Sequence, residues 1–380
     1  MKQDFIDCIG RHDTPFYYYD LDVLHSTLHA IAATQPVDSI VHYALKANSD
    51  LRLLSIIAQR GLGADCVSGG EIQRVISAGV HPQHIVYSGV GKTDREIEYA
   101  LSCNIDCFNV ESLAELQVID SLAAACGKIA PVAFRINPHI DAHTHHYITT
   151  GTSETKFGID ISQLDQAIEC AVALSHVRLR GLHFHIGSQI LSLEPYCMLC
   201  STINRLQEQL AERGIDIDYI NVGGGLGIDY DSPDENTIPP FAQYFDIFKK
   251  QLQLQPGVKL HFELGRSIVG QCGSLISRVL YVKEGVDRDF VILDAGMTEL
   301  IRPALYQASH LIENLTSQAE VQPYDIVGPV CETSDTFGSH IMLPTTRRGD
   351  IIAIRSAGAY AQSMAMTYNS RPLAPAVYSE

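Results

Sequence analysis

Apolar residues along the first two-thirds of the chain recur in two alternating patterns. Short runs rich in Val, Ile, Leu and aromatic residues read as buried strands at Ile40–Lys46, Leu62–Val67, His84–Gly89, Ile105–Val110, Ile129–Ile136, Val177–His185, Ile217–Val222 and Val258–Glu263. Between them lie amphipathic stretches. Leu51–Arg60 puts Leu53, Leu54, Ile57 and Ala58 on one helical face; Glu71–Ala78, Asp94–Ser102, Ser112–Ala125, Leu164–Leu174, Glu194–Arg213 and Phe241–Leu252 behave similarly. Strands that alternate with helices pair in parallel, because a parallel connection needs a crossover. Eight such repeats predict an α/β fold, and a (β/α)8 barrel rather than an open doubly wound sheet.

After Glu263 the pattern changes. Leu275–Val282, Phe290–Leu293, Tyr324–Val327 and Asp350–Arg355 read as strands with little helix between them, which predicts a C-terminal β-rich domain. The strand-like opening run Phe16-Tyr17-Tyr18-Tyr19-Asp20 can join that domain from the other end of the chain. The expected division is therefore a barrel over residues 24–265 and a β-rich domain made of residues 1–23 and 266–380.

Composition narrows the function classes. The chain has 380 residues, 46% of them hydrophobic and 19% charged, which is ample material for a large core. Its 27 basic and 44 acidic residues leave a net charge of −17, so it has no basic excess to replace the counterions of nucleic acid or to hold an anionic membrane. No run approaches the ~20 apolar residues of a membrane span, and Met1-Lys2-Gln3-Asp4-Phe5 opens no apolar signal segment. A cytoplasmic location is the default expectation. The ten cysteines are scattered, as free thiols in a reducing compartment would be. Cys197 and Cys200 form a C-x-x-C in a helical stretch and read as two helix cysteines rather than a redox or zinc pair.

Candidate chemistry collects at the strand ends, where a barrel keeps its functional groups. The first strand ends in Tyr43-Ala44-Leu45-Lys46-Ala47-Asn48. A lysine desolvated there would be a nucleophilic amine able to form a Schiff base; one emerging into solvent would not. The sixth ends in His183-Phe184-His185-Ile186-Gly187-Ser188, where two histidines share a face, either as a metal pair or with one stacking on a flat ligand. With His139, His143, His145 and His146 nearby in sequence, a metal-dependent hydrolase is the competing reading, although the first strand offers a lysine where such sites usually place a ligand. The seventh ends in Gly223-Gly224-Gly225, which can cradle an oxyanion or simply turn a corner. The eighth ends in Glu263-Leu264-Gly265-Arg266, either a salt bridge or a carboxylate that keeps a pyridine nitrogen protonated. Together these are what pyridoxal 5'-phosphate needs.

Longer motifs carry a resemblance. Tyr43–Ser49 (YALKANS), Gly63–Glu71 (GADCVSGGE), Lys156-Phe157-Gly158, His185–Ile190 (HIGSQI), Gly223–Gly227 (GGGLG), Glu263–Arg266 (ELGR), Asp294–Tyr306 (DAGMTELIRPALY), Gly328–Asp335 (GPVCETSD) and Ser356–Pro372 (SAGAYAQSMAMTYNSRP) resemble the fold-type III decarboxylases that use pyridoxal phosphate. The likeness runs nearly the whole chain and is nearest to the members acting on meso-2,6-diaminopimelate. Leu264 stands where the family usually has proline, on the scaffold of the motif. The resemblance implies decarboxylation of meso-diaminopimelate to L-lysine, with another basic amino acid or polyamine precursor as the alternative substrate and a non-catalytic relative as a further one.

It also implies roles by position. Lys46 would bind the cofactor covalently, with Asp65 and Gly265 also at the cofactor site. His185 would stack on the ring, and Glu263 would meet its nitrogen. Ser188, Gly223, Gly224, Gly225 and Arg266 would bind the phosphate. Arg266, Arg302, Tyr306, Glu332 and Tyr360 would contact the substrate, with Tyr360 also near the phosphate. Cys331 looks like the general acid. The family shares its sites across a homodimer, with Cys331 and Glu332 arriving from the partner subunit. No metal is implied. The loop His139–Thr155 is the natural candidate to cover the site.

Overall fold

The computed structural model describes residues 10–140 and 156–380. The chain divides into two compact units. One comprises Ala30–Gly227 and Pro240–Gly265, the other Met1–His29, Ile228–Pro239 and Arg266–Glu380.

A short strand, β1 (Phe16–Tyr19), and a helix, α1 (Leu21–Thr34), precede the barrel. The barrel strands are β2 (Ser39–Ala44), β3 (Gly63–Cys66), β4 (Ile85–Tyr87), β5 (Cys107–Val110) and β6 (Ala130–Asn137), then, after the two-residue β7 (Ile159–Asp160), β8 (Val177–His183), β9 (Tyr219–Asn221) and β10 (Lys259–Leu264). All pair in parallel in the order β5-β4-β3-β2-β10-β9-β8-β6, and β5 pairs with β6 through Phe108↔Val132 and Val110↔Phe134, so the sheet closes. The eight strands read from the sequence are these eight.

The helices follow local rules. Asp50 caps α2 (Leu51–Gln59) and Ser68 caps α3 (Gly69–Ser77), each by accepting backbone N–H groups. Thr93 and Glu96 form a capping box at α4 (Asp94–Cys103), and Ser112 caps α5 (Leu113–Ala125). Next come α6 (Leu164–Ala173), α7 (Glu194–Glu212) and α8 (Phe241–Gln251). Strand β10 shows how they wrap the barrel. His261 and Glu263 share one face, Phe262 and Leu264 the other. Phe262 lies 5.8, 4.9 and 5.2 Å, centre to centre, from Tyr244, Phe245 and Phe248 of α8. Burial of such rings supplies roughly 2–3 kcal/mol each.

The barrel interior departs from the layers of branched aliphatics common in such folds. His42 and His261 are buried and joined Nε2 to Nδ1 at 2.8 Å, and Val86, Cys107, Ala133 and Tyr219 pack as a cluster. Burial pushes both histidines below their ordinary pKa, so they are neutral.

The second unit continues with α9 (Arg266–Val269), β11 (Gly273–Lys283), β12 (Phe290–Leu293), α10 (Arg302–Tyr306), β13 (Ile312–Asn314), β14 (Val321–Val327), β15 (Thr336–Pro344), β16 (Ile351–Ile354) and β17 (Ala376–Tyr378). Its sheet runs β13-β16-β11-β12-β14-β15, and β1 joins it, antiparallel to β11 and parallel to β17. The N-terminal strand is thus part of the β-rich sheet. Strands β13, β15 and β17 are additions to the sequence reading. They are short or, like Thr-Phe-Gly-Ser-His in β15, too polar to read as strands. Among the described residues no helix is long and apolar enough to cross a membrane.

Candidate active site

Glu263 near the end of β10 organises the barrel unit's interior. Its Oε1 accepts from the side-chain amides of Asn109 at 3.1 Å and Asn221 at 2.7 Å, and its Oε2 lies 2.8 Å from His183 Nε2. Burial raises the pKa of this carboxyl, while Lys46, His42, Arg135 and the Asn221 amide oppose the rise. Donors on both oxygens suit an ionised carboxylate, which only accepts. His183 must then donate from Nε2, leaving its buried Nδ1 bare; burial followed by Arg135 lowers its pKa to about 3.

The network reaches the next strands. Asn109 also donates to the Ser88 hydroxyl at 2.9 Å, and Ser88 donates to Asp65 Oδ1 at 2.6 Å. Asp65 Oδ2 lies 3.8 Å from Lys46 Nζ. A continuous chain of polar contacts thus runs from Lys46 to Glu263. Burial, then the charge of Glu263, raises the Asp65 pKa; Lys46 and the Ser88 hydroxyl oppose this.

Lys46 sits differently from the strand-end lysine read from the sequence. Strand β2 stops at Ala44, and Lys46 occupies a single 3-10 turn, Leu45–Ala47, with its side chain 39% exposed. The Tyr43 hydroxyl braces this turn by donating to the Asn48 carbonyl at 2.8 Å. The strand ends here because Leu45 turns inward to burial, which frees the next side chain toward solvent.

The glycine run has a steric reason. A Cβ on Gly224 would stand 1.7 Å from the Glu263 carbonyl oxygen, and Gly225 holds φ at +98°, where a Cβ would also stand 2.5 Å from Gly187 O. The Gly223 N–H donates to Asn221 Oδ1, and the Gly224 N–H to His185 Nδ1 at 3.4 Å. His185 and Ser188 lie just beyond β8, half-buried; burial, then Lys46, lowers the His185 pKa well below its usual value. Gly265 packs against Ala44 and Ala47 beside the lysine turn.

The remaining predicted residues lie on the β-rich unit. Arg266 and Arg302 are both buried. Arg266 lies 4.8 Å from the Tyr360 ring centre and bonds the Tyr230 hydroxyl; Arg302 lies 4.7 Å from the Tyr230 ring centre. Tyr360 has φ +57°, and Tyr306 ends α10, half-buried. Cys331 and Glu332 are exposed: the Cys331 N–H donates to Asn369 Oδ1 at 3.3 Å, and Glu332 accepts from the Tyr368 hydroxyl at 2.7 Å. Asp335 fixes their loop by accepting from the N–H groups of Met297 at 2.6 Å and Val330 at 2.7 Å.

Sequence reasoning passed over Ser88, Asn109, His183 as a Glu263 partner, Asn221, Tyr230 and His310. A signal existed for four of them. Ser88, Asn109, His183 and Asn221 are polar residues at or beside the C-terminal end of apolar strands. Of the loop histidines, His139 bonds Asp160 at 2.6 Å; His143, His145, His146 and most of the loop expected to cover the site lie outside the described residues. The helix cysteines Cys197 and Cys200 are free thiols, and among the described residues no group of His, Cys, Asp and Glu is placed to hold a metal ion.

The barrel residues suit a phosphorylated pyridine. An anionic carboxylate matches a protonated ring nitrogen, a side chain-free loop admits a phosphate, and an amine stands beside Asp65. The buried Asp65 Oδ2, Asn109 Oδ1 and His183 Nδ1 have no hydrogen-bond partner, so the interior retains polar capacity for a ligand.

Comparison with known proteins agrees with this chemistry. The family described as pyridoxal-dependent decarboxylase, pyridoxal binding domain matches residues 22–270. A diaminopimelate decarboxylase of Bacteroides thetaiotaomicron is 56% identical over 371 residues, covering 97% of this chain and 96% of its own. One from Helicobacter pylori is 45% identical, covering 97% of this chain and 91% of its own. The crystal structure of diaminopimelate decarboxylase from Helicobacter pylori complexed with L-lysine superposes with a TM-score of 0.93 at 43% identity, covering 99% of this chain and 94% of that one.

Proposed function

The chain belongs to the pyridoxal-dependent decarboxylases, and from that premise we infer the reaction and the work of each residue. The enzyme removes carbon dioxide from meso-2,6-diaminopimelate and gives L-lysine. One observation supports this substrate above others. Among the described residues, buried Arg302 has Tyr230, Arg266, Tyr360 and His310 as neighbours and no carboxylate in salt-bridge contact. A buried cation needs an anion, and the distal carboxylate of diaminopimelate supplies one where ornithine has none.

Pyridoxal 5'-phosphate, when bound, supplies the electron sink for the bond that breaks. Lys46 would hold it covalently, beside Asp65. Glu263 would offer an ionised oxygen to the ring nitrogen, and the amides of Asn109 and Asn221 with His183 hold that carboxylate in place. His185 would lie against the ring. Ser188, Gly223, Gly224, Gly225 and Arg266, with Tyr360 nearby, would receive the phosphate, and Gly265 would border the cofactor. Arg302 and Arg266 bind the distal carboxylate, Glu332 the distal ammonium, and Tyr306 and Tyr360 pack beside the substrate. Cys331 Sγ would return a proton to the carbon.

Carbon dioxide release should be at least about 100-fold more efficient, as kcat/KM, from meso-diaminopimelate than from ornithine, because ornithine brings no carboxylate to Arg302. Faster turnover of ornithine would overturn the substrate assignment.

The working form is a homodimer with shared sites, as the exposure of Cys331 and Glu332 on the β-rich unit suits. Mixing inactive Lys46→Ala chains with inactive Cys331→Ala chains should then restore up to about a quarter of wild-type activity, since a two-fold dimer rebuilds one intact site in half of its members. No recovery under conditions where subunits demonstrably exchange would exclude sharing.

A further inference from the structure

Eight residues beyond Arg302, His310 is buried at 6% exposure and touches two groups. Its Nδ1 lies 2.7 Å from the Arg355 carbonyl oxygen, and its Nε2 lies 2.7 Å from Arg302 Nη1. The carbonyl can only accept, so the proton sits on Nδ1. Nε2 is therefore bare and accepts from the guanidinium. The ring also stands edge-on to Tyr230, 4.9 Å between centres, and Tyr230 is the ring against which Arg302 stacks.

The far side of the imidazole is anchored. The Arg355 N–H donates to the Leu311 carbonyl at 2.9 Å, and its guanidinium pairs with Asp234 at 2.6 Å and Glu313 at 2.7 Å. His310 thus relays a fixed backbone position to one N–H of Arg302. Burial, then the Arg302 charge, holds the His310 pKa down at about 3, so the ring stays neutral across the working range.

The choice of partner matters. A carboxylate at this place would orient Arg302 more strongly but neutralise it, and little charge would remain for an incoming anion. A neutral imidazole with one bare nitrogen fixes the fork through a single N–H, and because the Tyr230 side chain that also bonds Arg302 is neutral too, the positive charge is left for an incoming anion. The geometry points to His310 as the positioning residue that aims Arg302 at the distal carboxylate of the substrate without discharging it. This rests on the reading of Arg302 as a substrate contact.

The test compares three replacements by KM, kcat and thermal midpoint. His310→Gln keeps an acceptor within reach of Arg302 and should hold KM for meso-diaminopimelate within about threefold of wild type. His310→Ala should raise KM about tenfold while kcat changes less. His310→Glu separates positioning from mere structural support. A structural role would be served well by a carboxylate, whereas the proposal expects a stable protein with KM raised tenfold or more. Wild-type KM in His310→Glu, or equal damage from Gln and Ala, overturns it. If the Ala variant does not fold, the Gln and Glu pair decides alone. Arg302→Gln measured alongside keeps the two ideas apart. Unchanged KM there sinks the reading of Arg302 itself; raised KM there with wild-type KM in His310→Glu sinks only the role of His310.

Discussion

Replacing Lys46 by alanine is expected to abolish carbon dioxide release, with kcat reduced by about 1,000-fold or more. The amine sits on a 3-10 turn, half open to solvent, with Asp65 3.8 Å away. The barrel's buried lysine, Lys92, cannot stand in for it. Lys92 Nζ is already bonded to the carbonyls of Gly89 and Asn109, both at 2.8 Å, and to Glu115 at 2.6 Å. The turn itself should survive, because Leu45 and Ala47 remain buried and Tyr43 still bonds Asn48. Two measurements check this at saturating pyridoxal phosphate: a carbon dioxide assay, and the intact mass after borohydride reduction. The wild type should carry the cofactor's added mass and the variant should not. Activity above about a tenth of wild type, or a retained adduct, would contradict the role of Lys46.

Glu263→Gln is the second large effect, with kcat lowered about 100- to 1,000-fold, or roughly 3–4 kcal/mol in the barrier. The present carboxylate accepts from Asn109, Asn221 and His183. A glutamine places an N–H where one of these donors points. His183 can absorb the change. Its Nδ1 has no hydrogen-bond partner, so the proton can move there and leave Nε2 to accept. The fold should therefore hold, with a thermal midpoint within a few degrees of wild type, while the negative charge opposite the ring nitrogen is lost. Most of the loss should lie in kcat rather than KM, because the charge acts as the carbanion develops. A kcat within threefold of wild type would show that Glu263 does not tune the ring.

The extent of what can be read from sequence is clear in strand β10. His-Phe-Glu-Leu alternates because Phe262 meets the rings of α8 while His261 and Glu263 face inward. The other strands read as short apolar runs between amphipathic stretches, so eight strands and seven of the helices around them were legible from local pattern alone. The motifs also marked Lys46, Glu263, the glycine run and the two arginines. Less visible was the polar filling of the barrel. Asn109, His183 and Asn221 stand on β5, β8 and β9, 38 to 154 residues apart from one another and from Glu263 along the chain. Nothing local to any of them announces a shared partner. His310 is similar: it lies outside every motif and gains its meaning only from Arg302 on one side and a carbonyl of β16's end on the other.

Sequence by itself determined which segments become strands and helices, and which residue types stand at the strand ends, because periodicity, capping and glycine sterics act over a few residues. Tertiary structure decided the states of those residues. It set Lys46 on a turn instead of a strand, kept Glu263 an acceptor by surrounding it with donors, and gave the buried Arg302 a neutral partner. These are outcomes of burial and of hydrogen bonds between distant segments. The energy of a charge depends on everything around it, and a linear pattern does not contain that neighbourhood.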